Sequence, residues 1–270
     1  MKTETTTETP KGLAQRSRVN RPRSELRGLL LNAGLEILLE EGLGNGAEHV
    51  TFKKVFERVQ SQQGIRVTNA SVIGRIWENQ SEFQLSVLHA APQDLDQQEV
   101  VKTLDAVSAL LTSADLATPK GRLATLQEVT RIASKRNAEL MTGSSTWAIW
   151  IGMWAIAVSA KEDASNKRLR KIVLASYEQT ISSFSMLYEW IFSSLGFRIQ
   201  EPFTMHHLTT AIGGLAEGIG MQEVIGIPGT KRVRLPSGQD GSGQDWTLLG
   251  VGIAALLDRM TELDPDWKAP

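Results

Sequence analysis

The 270-residue chain is predicted to be all-α: an N-terminal helix-turn-helix module of short helices, followed by a larger domain of long ones. Three observations predict it. Apolar residues recur at i, i+3, i+4 and i+7 through most of the chain. None of the long segments alternates apolar and polar residues as a half-buried strand would. Ser, Thr or Asn heads one periodic run after another, where a side-chain oxygen can accept from the free N–H groups of a first helical turn.

Residues 1–20 lack periodicity and are expected to form a tail, acidic in MKTETTTETP and basic through QRSRVNRPR. The module is expected over 21–90. Ser24 heads a first helix with Leu26, Leu29, Leu30, Ala33 and Ile37 on one face, and Gly42 stops it. Thr51 caps a second, where Phe52, Val55, Phe56 and Val59 repeat and Lys53, Lys54, Glu57 and Arg58 stay outside. Gln60 to Arg66 breaks the pattern, Asn69 opens a third helix ending near Trp77, and Ser81 caps a fourth with Phe83, Leu85, Val87 and Leu88. Over 91–270 the helices lengthen, with spans predicted at 97–113, 120–140, 144–160, 165–196, 203–222 and 245–262. Ile225 to Trp246 is rich in Gly and Pro and reads as a long connection in which KRVRL can pair briefly as a strand.

Composition narrows the function classes. There are no cysteines, which removes disulfides and thiolate chemistry and fits a reducing interior. No basic segment followed by an apolar run opens the chain, so no signal peptide is expected and a cytoplasmic location is the expectation. The apolar run within Thr146 to Ala160 falls short of the ~20 residues a membrane span needs and reads as a buried helix. Lys11 to Ile76 holds eleven basic and six acidic residues, net +5, while Ala91 onward holds seventeen and twenty, net −3. A basic front on an acidic rear is the layout of a polyanion-binding module joined to something else.

The second and third predicted helices, with the turn between them, have the layout of a helix-turn-helix. Its second helix must enter a major groove about 12 Å wide, so its leading residues need to be slim. Asn69, Ala70, Ser71 and Val72 are slim: Asn can pair with adenine, Ser with a base or phosphate, and Val72 can meet a thymine methyl. Thr68 precedes them, Arg75 can reach guanine or the backbone, and Ile73, Ile76 and Trp77 are expected to pack inward.

These residues resemble the TetR-like family of transcriptional regulators. LLLNAGLEILLEEGL is similar to the family's first helix, Thr51 to the opening of its second, GIRVTN to its turn, SVIGRIW to its recognition helix and ENQSEFQLSVL to its fourth helix. The resemblance covers Ser24 to Leu88. Ile73 or Gly74 stands where the family carries a phosphate-binding Tyr, and Gln80 or Ser81 where it carries a Lys. Backbone anchoring therefore falls to Thr51, Lys53, Lys54 and the Arg16 to Arg23 arm, Arg21 and Arg23 included. The resemblance implies a homodimer on operator DNA with a small effector in the rear domain.

Two further sets of residues follow from that implication. Leu208, Ile212, Leu215 and Ile219 make a stripe set among small residues, and Leu249, Ile253, Leu256, Leu257 and Met260 repeat in matching period near the end. Paired and doubled by a two-fold axis, these helices would form an intersubunit four-helix bundle, although either stripe also suits its own domain's core. Trp147, Trp150, Ile151, Trp154 and Val158 share one face of a helix that is apolar all round. Phe184, Leu187, Tyr188 and Ile191 are placed opposite, with Met141 and Met186 as adaptable lining, and together they suggest a pocket for a large, flat, mostly apolar effector.

His49, His89, His206 and His207 have no metal-ligand spacing, and no nucleophile elbow, phosphate loop or dinucleotide fingerprint occurs. No enzyme activity, metal or cofactor is expected. The expected function is a ligand-responsive transcriptional regulator, with a repressor favoured. The rival is a dimeric small-molecule-binding adaptor of the same fold that has lost specific DNA binding.

Overall fold

The computed structural model describes residues 22–43, 46–91, 93–159, 164–228, 232–236 and 243–268. The expected tail and Arg21 lie outside them. The protein is all-α, with ten helices among the described residues: α1 Arg23–Glu41, α2 Phe52–Gln63, α3 Asn69–Val72, α4 Gln80–Ala90, α5 Gln93–Ser113, α6 Pro119–Gly143, α7 Ser145–Ser159, α8 Ala164–Leu195, α9 Met205–Ile225 and α10 Leu248–Met260. None is long and apolar enough to cross a membrane.

Among the described residues, four short strands form two antiparallel ribbons. β1 (Phe197–Ile199) pairs with β4 (Thr261–Leu263), and β2 (Val233–Pro236) pairs with β3 (Gly243–Trp246). The first ribbon joins segments about sixty residues apart in sequence and is reinforced by Arg198, which donates to Glu262 at 2.8 Å. The second falls on the expected KRVRL stretch. Three residues per strand are too few to show an alternating pattern, which is why β1 and β4 escape a sequence reading.

Local chemistry sets the helix ends. Thr51 accepts from Lys54 N–H at 3.3 Å and caps α2, and Gly42 closes α1 with its N–H on Leu38 O at 2.8 Å. Three expected starts move by one or two residues. Pro22 rather than Ser24 precedes α1, Asn79 rather than Ser81 caps α4, accepting from Glu82 N–H at 2.9 Å, and Thr68 rather than Asn69 stands before α3. The expected third helix is also cut to four residues. Ile73 is extended and Gly74 turns left-handed with φ +71°, its N–H donating to the O of Trp77, three residues further on, at 2.8 Å. Two β-branched residues followed by a glycine favour that exit over another helical turn.

The N-terminal helices close over an aromatic cluster. Trp77 meets Phe83 edge-on at 4.8 Å, Phe52 lies 5.0 Å from Phe83, and the Trp77 indole N–H donates to Ser86 at 2.9 Å. Ile76 and Trp77 are buried as expected, but Ile73, expected inside, is 42% exposed, because the extended backbone carries it off the helical face. The core does not stop at residue 90. It runs from α1, α2 and α4 into Ile149, Trp150, Met153 and Ala157 of α7 and Leu169 and Val173 of α8. Behind it, α6, α8, α9 and α10 pack on one another around Leu187, Ile191, Leu195, Leu208, Ile212 and Leu257.

The stripes expected between subunits serve this core. Leu208 and Leu249 are fully buried within one chain, and Ile212, Ile219 and Met260 are nearly so, while Leu215, Ile253 and Leu256 are partly buried in the same packing. A periodic apolar face satisfies an internal neighbour as readily as a partner, and here α9 meets α6, α8 and α10. On α7, Val158 is 74% exposed, so the helix is not buried all round.

Gly34 marks the closest approach of α1 to α4. A Cβ there would sit 2.8 Å from a methyl of Val87 and 2.9 Å from the Phe83 ring. Gly34→Val is expected to lower stability by about 1–3 kcal/mol through overpacking, read as a reduced urea midpoint at unchanged slope.

A candidate ligand cavity and a candidate nucleic-acid edge

A cavity of about 200 Å³ lies between α6, α7, α8, α9 and α10. α6 contributes Met141 among other residues, α7 contributes Trp147 and Trp150, and α8 contributes Phe184, Leu187, Tyr188 and Ile191. Seven of the nine residues expected to line a pocket are thus brought to one space. Helical spacing explains it: Phe184, Leu187, Tyr188 and Ile191 recur at i, i+3, i+4 and i+7, so one face of α8 supplies all four.

The other two expected lining residues lie elsewhere. Trp154 is not at the wall; it stacks edge-on against Trp150 at 6.0 Å and Tyr177 at 5.5 Å, supporting both from behind. Ile151 fills the packing between α7 and the neighbouring cores. Met186, expected as lining, is 63% exposed, one residue away in sequence from the face that carries Leu187.

The polar part of the wall escaped the sequence reading. Glu217 of α9 lines the cavity and accepts from the Trp150 indole N–H at 3.1 Å. Burial pushes its carboxyl above the usual 4.5, and the Trp150 hydrogen bond only partly opposes that. Tyr177, also in the wall, is pushed up by its own burial and by the nearby Glu217 charge, and Tyr188 is pushed up by burial. Several hydroxyls of the wall also bond to the protein. Thr130 donates to Leu126 O at 2.8 Å, Thr209 donates to Met205 O at 2.9 Å and shares a hydrogen bond with Ser185, and Ser134 lies 3.2 Å from Thr247 Oγ1. One signal pointed to Glu217: it is the single carboxylate in a run from Met205 to Gly220 otherwise made of apolar, small or neutral residues.

At the other end, Thr68, Asn69 and Ala70 are exposed and Ser71 half-buried, held by its own hydroxyl, which donates to Thr68 O at 2.6 Å. Val72 is fully buried, so its side chain is not at that edge to meet a base. Arg23, Lys53 and Arg75 are exposed. Lys54 is held by both carboxylate oxygens of Glu41 at 2.8 Å, and Arg58 by Glu40 and Glu36. A shallow cleft between α2 and α3 is bordered by Lys53, Asn69 and Ile73, and also by the exposed carboxylates Glu57 and Glu78.

No family model matches the chain, and no curated protein matches it. Among solved structures, a proposed transcriptional regulator from Saccharomonospora viridis in complex with choline aligns over 88% of this chain and 99% of its own, at 17% identity and a TM-score of 0.42. A likeness of that depth assigns no family.

A carboxyl whose folded value is raised favours the native state while protonated. That contribution is complete below its unfolded value of about 4.5 and is lost as pH rises through the folded value. Replacing the carboxyl by an amide removes the loss. Glu217→Gln is expected to raise the denaturation midpoint at pH 8, with the gain shrinking towards pH 4 in parallel melts.

Proposed function

We propose that this protein is a ligand-responsive transcriptional regulator, a repressor, that binds palindromic operator DNA as a homodimer. One observation carries the reading: Trp150 belongs both to the core shared with α1, α2 and α4 and to the wall of the cavity. A guest that moves this indole repacks the base of the N-terminal helices, and a packed core transmits such a shift instead of absorbing it. The exposed start of α3 at Asn69 and Ala70, with Arg75 and Lys53 beside it, supplies side chains of the type that read bases and phosphates. The choline complex of the Saccharomonospora viridis protein is in keeping with a small effector but carries no weight of its own.

Dimerisation, in this reading, uses faces other than the stripes now found inside the core. Met221, Val224 and Ile225 of α9 and Trp190 of α8 remain exposed, and the Cβ positions of Gly214 and Gly218 meet nothing within 4 Å. Two copies would set their reading heads one helical turn of about 34 Å apart, and ligand would change that spacing.

A second reading is favoured by the cleft beside α3. Two carboxylates border it against one lysine, the recognition element is four residues long, and two of the module's cations are paired with α1. That arrangement suits a dimeric ligand-binding adaptor with no specific DNA contact.

Gel-shift titration on the DNA upstream of the protein's own coding sequence separates the two. Asn69→Ala and Arg75→Ala are expected to cost about 1–3 kcal/mol on specific sites only, while Lys53→Ala weakens all DNA and lowers the salt slope by about 1. Equal loss on specific and random DNA removes the assigned roles, and no specific complex at low salt leaves the adaptor. Ile225→Glu is expected to shift the mass measured by light scattering from dimer towards monomer.

A further inference from the structure

We propose that the cavity takes a small organic cation, an alkylated ammonium head on an apolar body, with Glu217 as its counter-charge and Trp150 and Tyr177 as the rings around the head. This rests on the cavity being the effector site described above.

The chemistry of the wall selects the charge. Among the described residues the Trp150 indole is the hydrogen-bond partner of Glu217, and no lysine, arginine, histidine or aspartate lines the cavity. A charged carboxylate in an apolar space is costly unless an opposite charge joins it. A neutral guest leaves that charge uncompensated or forces the group to take a proton, and an anion is repelled. A cation supplies what is missing. The surrounding rings point the same way, because the faces of Trp and Tyr attract cations, most strongly where water is excluded. Trp154 braces both rings, edge-on to Trp150 at 6.0 Å and to Tyr177 at 5.5 Å, so the walls keep their position without a guest.

The form of the head follows from the lining as a whole. Asn137 and the hydroxyls of Thr130 and Thr209, which donate to the carbonyls of their own helix, keep lone pairs able to accept, but most of the wall is apolar or aromatic. An alkylated ammonium presents its charge through methyl groups that pack on such a surface and on ring faces. About 200 Å³ holds a small molecule and far exceeds the ~30 Å³ that one water occupies.

The test is isothermal titration of the full chain, without DNA, with phenyltrimethylammonium and with tert-butylbenzene, its uncharged isostere, at pH 8 and pH 5. The cation is expected to bind at least about tenfold more tightly at pH 8. That preference should narrow from pH 8 towards pH 5, because a carboxyl raised above its ordinary value is protonated to a greater extent at the lower pH; Tyr177 and Tyr188, the other titratable groups of the wall, are both pushed up. Glu217→Gln is expected to bring the two affinities together while circular dichroism reports an unchanged fold. If that variant does not fold, the pH dependence of the native chain decides. Equal or tighter binding of tert-butylbenzene, a cation preference that survives in Glu217→Gln or is flat with pH, or binding of neither compound overturns the proposal. Because no DNA is present, a failed gel shift leaves this result standing. Binding of tert-butylbenzene alone sinks the cation while keeping the cavity as a ligand site.

Discussion

A single hydrogen bond, from the indole of Trp150 to the carboxylate of Glu217, ties the cavity wall to the core shared with the N-terminal helices. It joins α7 to α9 at the cavity wall and holds an ionisable group half out of water. It also fixes an indole whose other contacts belong to the N-terminal core. A carboxylate drawn partly out of water costs stability. Thr130 and Thr209 in the same wall donate to carbonyls of their own helix, whereas Glu217 is the one carboxylate among the described residues lining the cavity.

The front of the molecule is organised by a different balance. α1 and α2 are held by buried Leu30, Ile37, Val55 and Val59, and on their outer side by Glu36, Glu40 and Glu41 against Arg58 and Lys54. Exposed pairs of this sort contribute little to stability. Their effect here is on the field around the module. Lys54 and Arg58 are paired at short range, so the exposed positive charge beside α3 comes from Lys53 and Arg75, with Glu57 and Glu78 close by.

Much of the fold was legible because helices are written locally. Apolar spacing and capping residues placed each helix to within a few residues, and Thr51 and Gly42 act as their types suggest. Boundaries slipped where two capping residues lie close together, as with Asn79 and Ser81. The shortened α3 had a visible signal in Gly74, outweighed in the reading by the helical order of Ile73, Ile76 and Trp77. The aromatic wall was legible in the period of α7 and α8. What could not be read was the destination of the α9 and α10 stripes, since an apolar face looks the same whether it meets its own chain or another. Glu217 stayed hidden for a related reason: a lone acidic residue on a helix is ordinarily at the surface, and only the tertiary arrangement of five helices turns it inward.

Arg122 of α6 is buried beneath the end of the chain. Its guanidinium lies 4.6 Å from the Trp267 ring and reaches the carbonyl of Gly196 at 3.4 Å, while the Trp267 indole donates to Ser193 O at 2.7 Å. Some 145 residues separate the two halves of this clasp, and α10, which also packs on α6, is made almost as late. During synthesis α1 to α4 emerge first, and the core they share with α7 and α8 is complete once those helices follow. The cavity comes later still, because α6 waits with an unmatched arginine until α10 and Trp267 have been made.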